Sequence, residues 1–472
     1  MKTGDEYFDS EEFLDMLGEY ENANNSGSPV FLDSDELTQI ADYYQWQGQM
    51  DEAEKAIQHA LSLSPGAIMP LAYRIHEALW QNDFDAARDY LKRIIEKDDP
   101  DYVYLTAEIM IAEGHIDEAD AYLRKEFQKV PPEEHQDYVV DVANIYSDYD
   151  VNEKAMEWLS RARHEDSADF KELIARTLFG LGKYKESEKL FDELIDKDPF
   201  QKRYWNALAM VQYMNEDYSN AIQSSEYAIA IDPEDPEGLL AKANGLYRLG
   251  NFEEALEYYR RYEEFEPDDE FALLHQGTCL LSMDRFEEAV ELLERALQCA
   301  LPDSPYLADI YQELAFAYAD KGETDKAVSC LDETDGLDCD HIEILVIKGH
   351  VLLAAGRVEE AGRLYRRAVA ESDDPTHTLL RVIVSLYDNK YVDGAYQMFK
   401  KYFVIAPADN TEGYAYMALC CYDLKKNKEF LQYLKTACEV NPKECKLVLR
   451  HLFPEDVAPE DYYQYIGKKM AG

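Results

Sequence analysis

Near the N-terminus Phe13, Met16, Leu17 and Tyr20 fall at i, i+3, i+4 and i+7, with acidic residues between them. That spacing gathers the apolar side chains on one face and predicts an amphipathic helix. Asp9 and Glu12 have the spacing of a capping box for its start, and Glu21 to Pro29 reads as a linker. Beyond it the pattern becomes periodic. The block Gly250-Asn251-Phe252-Glu253-Glu254-Ala255 has close copies at Gly48 to Ala53, Gly114 to Ala119, Gly182 to Ser187 and Gly356 to Ala361. Weaker copies end at Ala87, Ala155, Ala221, Ala289, Ala327, Gly394 and Phe430. The twelve end positions follow at intervals of 34, 32, 36, 32, 34, 34, 34, 38, 34, 33 and 36 residues. Such a period marks a repeat array.

Other columns keep the same phase. Twelve residues before the anchor stand small residues, among them Ala41, Ala107, Ala143, Ala175, Ala209, Ala243, Gly277, Ala315, Gly349 and Ala418. Seven after it come Ala60, Ala162, Ala228, Ala296, Ala368 and Ala437; twelve after it come Pro65, Pro131, Pro199, Pro233, Pro267 and Pro442. Small residues let two antiparallel helices approach closely while apolar neighbours fill the seam. The glycine suits a left-handed helix end, and the proline cannot continue a helix but opens the next one well. The interval of 38 residues around Gln298 to Pro305 predicts a longer loop. Val382 and Phe430 stand where small residues are usual, so looser or shifted packing is expected there.

In these columns the chain resembles the tetratricopeptide-repeat family, whose unit is a 34-residue helix-turn-helix. Trp205, Leu208, Ala209, Tyr218, Ala221, Ala228 and Pro233 keep the family's spacing in the clearest copy, and the resemblance covers residues 34–442. It implies an all-α, right-handed α-solenoid of about twelve repeats with capping helices at both ends. Residues 1–33 are then an acidic segment with one capping helix and a linker, and residues 443–472 the C-terminal capping helices. Those caps are read at Pro442 to Leu452 and at Pro459 to Lys469.

Composition narrows the chemistry. The 472 residues carry a formal net charge of −50, which opposes binding to a phosphate backbone. No apolar run reaches the ~18 residues of a membrane span, and the N-terminus turns acidic where a signal peptide needs an apolar segment. Neither nucleic acid nor a membrane is expected as partner, and the expected location is cytoplasmic. All eight cysteines lie in the second half without a Cys-x-x-Cys pair, so they read as free thiols. A metal site built from Cys420, Cys421, Cys438 and Cys445 stays open beside that reading. Nucleophile elbows, phosphate loops and zinc-protease motifs are missing from the sequence, and carboxylates are so frequent that pairs of them carry no signal. No catalytic residue, cofactor or metal is therefore assigned.

The resemblance also implies that the first helix of each repeat lines a concave, ligand-binding surface. Positions read there by analogy form an acidic section in the early repeats, with Asp35, Asp42, Asp101, Glu108, Asp137, Asp141, Asp148 and Asp169. The middle repeats bring Arg176, Arg203, Asn206, Tyr213, Asn244, Tyr247 and Arg248. Later ones turn more apolar, with Phe271, Leu274, Phe316 and Val346. The lysine clamp with which some family members hold a chaperone tail is missing from these columns. The expected function is a non-catalytic scaffold that holds a peptide or helix in the groove, its basic part toward the early repeats and its acidic part near the arginines. Two other readings stay open: an acidic chaperone-like or assembly factor that shields basic clients, and an enzyme with an unrecognised carboxylate site. Self-association is undetermined.

Overall fold

The computed structural model describes residues 7–8, 10–26, 29–163, 167–407, 409–454 and 457–471; among them helices follow one another in pairs and no strand occurs. The chain divides into two compact units, residues 1–217 and 218–472. The first holds the helix Glu11–Ser26, five helix pairs from Ser34–Trp46 to Tyr184–Lys197, and the helix Lys202–Met214. The second opens with Tyr218–Ile231, continues through six pairs from Pro236–Arg248 to Asn427–Val440, and ends in Pro442–Leu449 and Tyr462–Ala471. We call the first helix of each pair A and the second B.

Local chemistry sets the helix limits. Asp33 caps Ser34–Trp46: its carboxylate accepts from the amides of Asp35 and Glu36, each at 2.9 Å. Glu36 returns a bond to the Asp33 amide at 2.8 Å, completing a capping box. Pro100, Pro236, Pro375 and Pro442 open their helices at the position where a missing amide costs nothing. Between A and B helices one residue turns left-handed at the same place in every repeat. It is glycine at 48, 114, 182, 250, 322 and 356; at the other six the place is taken by Asn82, Asp150, Glu216, Asp284, Lys390 and Lys425.

That turn also sets the phase, and it corrects the reading of one copy. Lys390 carries the positive φ, so the eleventh repeat's anchor is Ala395, one residue after Gly394. Ala395 is fully buried and Ile383, also buried, stands twelve residues before it in place of Val382. The larger Ile383 is accommodated in a core with Tyr396 and Phe399. Where the column holds glycine, the space is occupied: a Cβ on Gly349 would lie 2.3 Å from the Tyr365 ring, and one on Gly277 2.6 Å from Leu293. The long interval appears as the loop between Phe286–Cys299 and Leu307–Asp320.

At the N-terminus the predicted stripe is buried: Phe13, Leu17 and Tyr20 share a core with Leu37, Ile40, Ala41 and Tyr44 of the first pair. The helix runs on through the expected linker to Ser26, because Ala23 extends the stripe and Tyr44 Oη donates to Glu21 at 3.2 Å. Asp9 of the expected capping box lies outside the described residues. At the other end Phe430 is buried in the terminal core beside Cys445 and Leu449. The Phe453 and Tyr462 rings stack there at 3.8 Å. The last A helix, Tyr414–Asp423, is short and follows the left-handed Gly413. Glu444 closes its start, accepting from the amides of Gly413 at 2.7 Å and Ala415 at 3.0 Å.

Candidate interaction surface on the A helices

In the first unit, side chains on or at the end of successive A helices reach one another. His76 Nε2 lies 3.1 Å from Glu108 Oε2, and Tyr149 Oη donates to the other oxygen of Glu108 at 3.1 Å. Tyr104 Oη donates to Asp141 at 3.1 Å. Arg176 pairs with Asp148 at 2.7 Å, and Arg203 with Glu172 at 3.1 Å. Each bond joins neighbouring repeats, so these residues tie successive A helices of the unit together.

Five acids of the expected section, Asp101, Glu108, Asp137, Asp141 and Asp148, lie on two A helices, Pro100–Ala112 and His135–Asp148; Asp35 and Asp42 lie on Ser34–Trp46 and Asp169 on Ala168–Gly180. Asp137 and Asp141 line a recess of about 510 Å³ with Tyr104, Val103 and Pro131. Burial pushes Asp141 above the usual carboxylate range; the Tyr104 bond opposes this, while Asp137 and Asp101 add to it. Asp101 is raised by burial and by Asp99. Asp42, earlier on the stripe, is pushed up to about 6 by burial, with His76 opposing. His76 in turn is raised, chiefly by its hydrogen bond to Glu108. Carboxylates raised this way gain from an approaching cation.

The arginine and tyrosine set divides between the units. Arg176, Arg203, Asn206 and Tyr213 fall in the first; Asn244, Tyr247 and Arg248 in the second. Arg203 also stands over the Tyr204 ring at 5.0 Å and donates to its hydroxyl at 3.2 Å. Burial outweighs Arg203 and Arg176 and holds their neighbour Glu172 above its ordinary value. Asn206 is buried and Tyr213 half-buried. In the second unit Asn244 Oδ1 accepts from Tyr259 Oη at 2.6 Å, and Tyr247 meets Phe252 and His275 edge-on. Arg248 donates to Tyr218 Oη at 2.8 Å.

Two residues of this surface were not singled out in the sequence. Trp46 is 56% and Trp80 81% exposed, each one turn after Asp42 and His76 on their helices. The equivalent places elsewhere hold Ala112, Asp148, Gly180, Met214, Arg248, Ser282, Asp320, Ala354, Asp388 and Asp423, so an indole in a column otherwise free of aromatic residues was the available signal. The four-cysteine metal site is not assembled. Cys420 and Cys421 are buried thiols pushed up to about 12 by burial, and Cys438 pairs instead with Cys445 and the Tyr463 backbone. No group of three or more metal-ligating side chains occurs among the described residues. No helix among them is long and apolar enough to cross a membrane.

Family models for the tetratricopeptide repeat match residues 37–66, 172–236, 269–334 and 344–367. The model for subunit 3 of the anaphase-promoting complex, or cyclosome, matches residues 214–296. No curated protein matches the chain. Among solved structures, it is similar to a tetratricopeptide-repeat protein from Parabacteroides merdae, with 14% identity, TM-score 0.39, and 60% of this chain and 97% of that one covered. The type IV pilus biogenesis factor PilW gives 18% identity, TM-score 0.40, and coverage of 46% and 100%. YrrB, a repeat protein with an unusual peptide-binding site, gives 22% identity, TM-score 0.34, and coverage of 41% and 95%.

Proposed function

The chain belongs to the tetratricopeptide-repeat proteins, and from that premise we propose that it is a non-catalytic cytoplasmic scaffold holding a basic peptide or helix on the A-helix surface of its first unit. The observation that carries this reading is the exposure of Trp80, and of Trp46 beyond its contacts with Phe8 and Tyr43, one turn after His76, which holds Glu108, and after the raised Asp42. An indole left in water forgoes a large burial gain, and tryptophan is over-represented among residues that dominate binding energy. A lysine or arginine on the partner gains from the ring face and from the carboxylates together. Arg176 and Arg203 mark the end of this acidic stretch; each already holds a carboxylate of the neighbouring A helix, so an acidic residue of the partner would exchange for Asp148 or Glu172.

Affinity purification with the full chain, followed by mass spectrometry, tests the reading. A defined partner that is lost in Trp80→Ala supports it. Retention of one and the same partner by that variant overturns it. The net charge of −50 favours a second reading, a chaperone-like shield for basic clients, and a broad set of basic proteins released by salt would select it.

A further inference from the structure

The second unit carries a recess of about 590 Å³ between its last A helices and the helix Pro442–Leu449. Its apolar lining comes from Phe316, Val346, Ile347, Leu380, Val384 and Leu447. Phe316, His350 and Val384 recur at intervals of 34 residues, so one repeat position builds the centre of the site from three successive A helices. Leu447, 80% exposed, stands at its edge on the C-terminal helix.

Charges of both signs line this recess, with Lys443 and Glu444 on the C-terminal helix, and most of its cations are already paired. At one end His377 lies 3.6 Å from Glu412, and Arg381 is held by Glu343 and Asp340. Lys443 is in the first turn of the C-terminal helix on the same recess. At the other end Asp388 lines the recess, and Asp320, outside the lining, interacts with its His350; each is the last residue of its A helix. The carbonyl ends of those two helices add partial negative charge to the two carboxylates. His350 lies within electrostatic reach of both, and its Nδ1 sits 3.0 Å from Ser385 Oγ and 3.2 Å from Asn389 Nδ2. Burial holds this imidazole below the usual histidine range, against the pull of Asp388 and Asp320. Asp388 is raised by burial against His350 and Lys390, and Asp320 by burial and Asp284 against His350.

An apolar floor next to the Asp388 carboxylate, with Asp320 acting on the same His350 and with Arg381 and His377 already held by acids, favours an apolar occupant that brings its own cation. We propose that this recess binds a partner segment that seats a large apolar side chain on Phe316, Ile347 and Val384 and directs a lysine or arginine, within one helical turn, to Asp320 and Asp388. The site is separate from the surface proposed above and does not depend on it.

Panning a phage-displayed library of random dodecapeptides on the full chain, then measuring synthetic copies of the enriched peptides by fluorescence anisotropy, tests the proposal. Enriched peptides are expected to combine an aromatic or large aliphatic residue with lysine or arginine one turn away. Asp320→Asn with Asp388→Asn is expected to weaken them about tenfold, roughly the loss of one charge-assisted contact. Val384→Asp is expected to abolish binding, and Trp80→Ala to leave it unchanged. Should Val384→Asp lose its helical circular dichroism, the paired Asp→Asn variant decides alone. Failure to enrich any peptide, enrichment without the apolar-basic pair, or binding indifferent to the Asp→Asn pair overturns the proposal. Loss on Trp80→Ala alone assigns the peptides to the first unit and overturns it as well.

Discussion

The Ser187 hydroxyl donates to the carbonyl oxygen of Ala175 at 2.8 Å, joining the two residues that face each other across the fifth helix pair. Both are fully buried. Ser187 stands where most repeats carry alanine, so the seam admits one oxygen only because a carbonyl is there to receive its proton. Ser187→Ala, which removes donor and hydroxyl together, is expected to cost at most ~1 kcal/mol. Ser187→Leu and Ala255→Leu are expected to cost ~1–3 kcal/mol through overpacking, and Glu253→Leu, on the exposed face, close to nothing. Urea denaturation midpoints check this. Equal losses at Ala255 and Glu253 would contradict the assigned phase.

The left-handed turns give a prediction of opposite sign. Lys390 has φ +68° where six other repeats use glycine. The left-handed conformation costs a side-chain-bearing residue roughly 1–2 kcal/mol, partly offset by glycine's greater freedom when unfolded. Lys390→Gly is expected to raise stability by a few tenths to ~1 kcal/mol, and Gly250→Ala to lower it by ~1 kcal/mol. A destabilised Lys390→Gly protein would show that the Lys390 side chain makes a compensating contact.

Both the period and the helix pairing were legible because small residues at the seam can be read one repeat at a time. The eleventh repeat was misphased because Gly394 and Ala395 are both small, and only the backbone at Lys390 separates them. The N-terminal helix was ended early because Asn22, Asn24 and Asn25 favour turns. Packing of Tyr20 on the first pair and burial of Ala23 outweigh that preference. The partners of Glu108, Asp148 and Arg176 were not legible, since in so acidic a chain the tertiary arrangement alone decides which carboxylate meets which donor.

Buried carboxylates make stability depend on pH. Burial, reinforced by Asp309, pushes Glu313 up to about 7. Asp309 in turn faces His275 and Glu343. Since Glu313 binds its proton more tightly folded than unfolded, its contribution is full below about pH 4 and is lost as pH rises toward about 7. Glu313→Gln is expected to flatten that slope and to raise stability near pH 8 by ~1–3 kcal/mol. Thermal melts across this range check it; an unchanged slope in the variant would contradict the assignment.

The N-terminal helix is expected to act as a cap. Deleting residues 1–30 exposes Leu37, Ile40 and Tyr44 and should lower the melting temperature, and Phe13→Ala should cost ~3–5 kcal/mol. An unchanged melt with tighter partner binding would instead make the helix an autoinhibitory segment.

The central claim is that the acidic, tryptophan-bearing surface of the first unit is where a basic partner is held. Isothermal titration calorimetry of the purified partner against the wild-type chain and Trp80→Ala, with melting curves to confirm the fold, tests it most directly. The account predicts a loss of ~2 kcal/mol or more for Trp80→Ala, and weakening of the wild-type complex by salt. Unchanged affinity in a folded Trp80→Ala protein would contradict it.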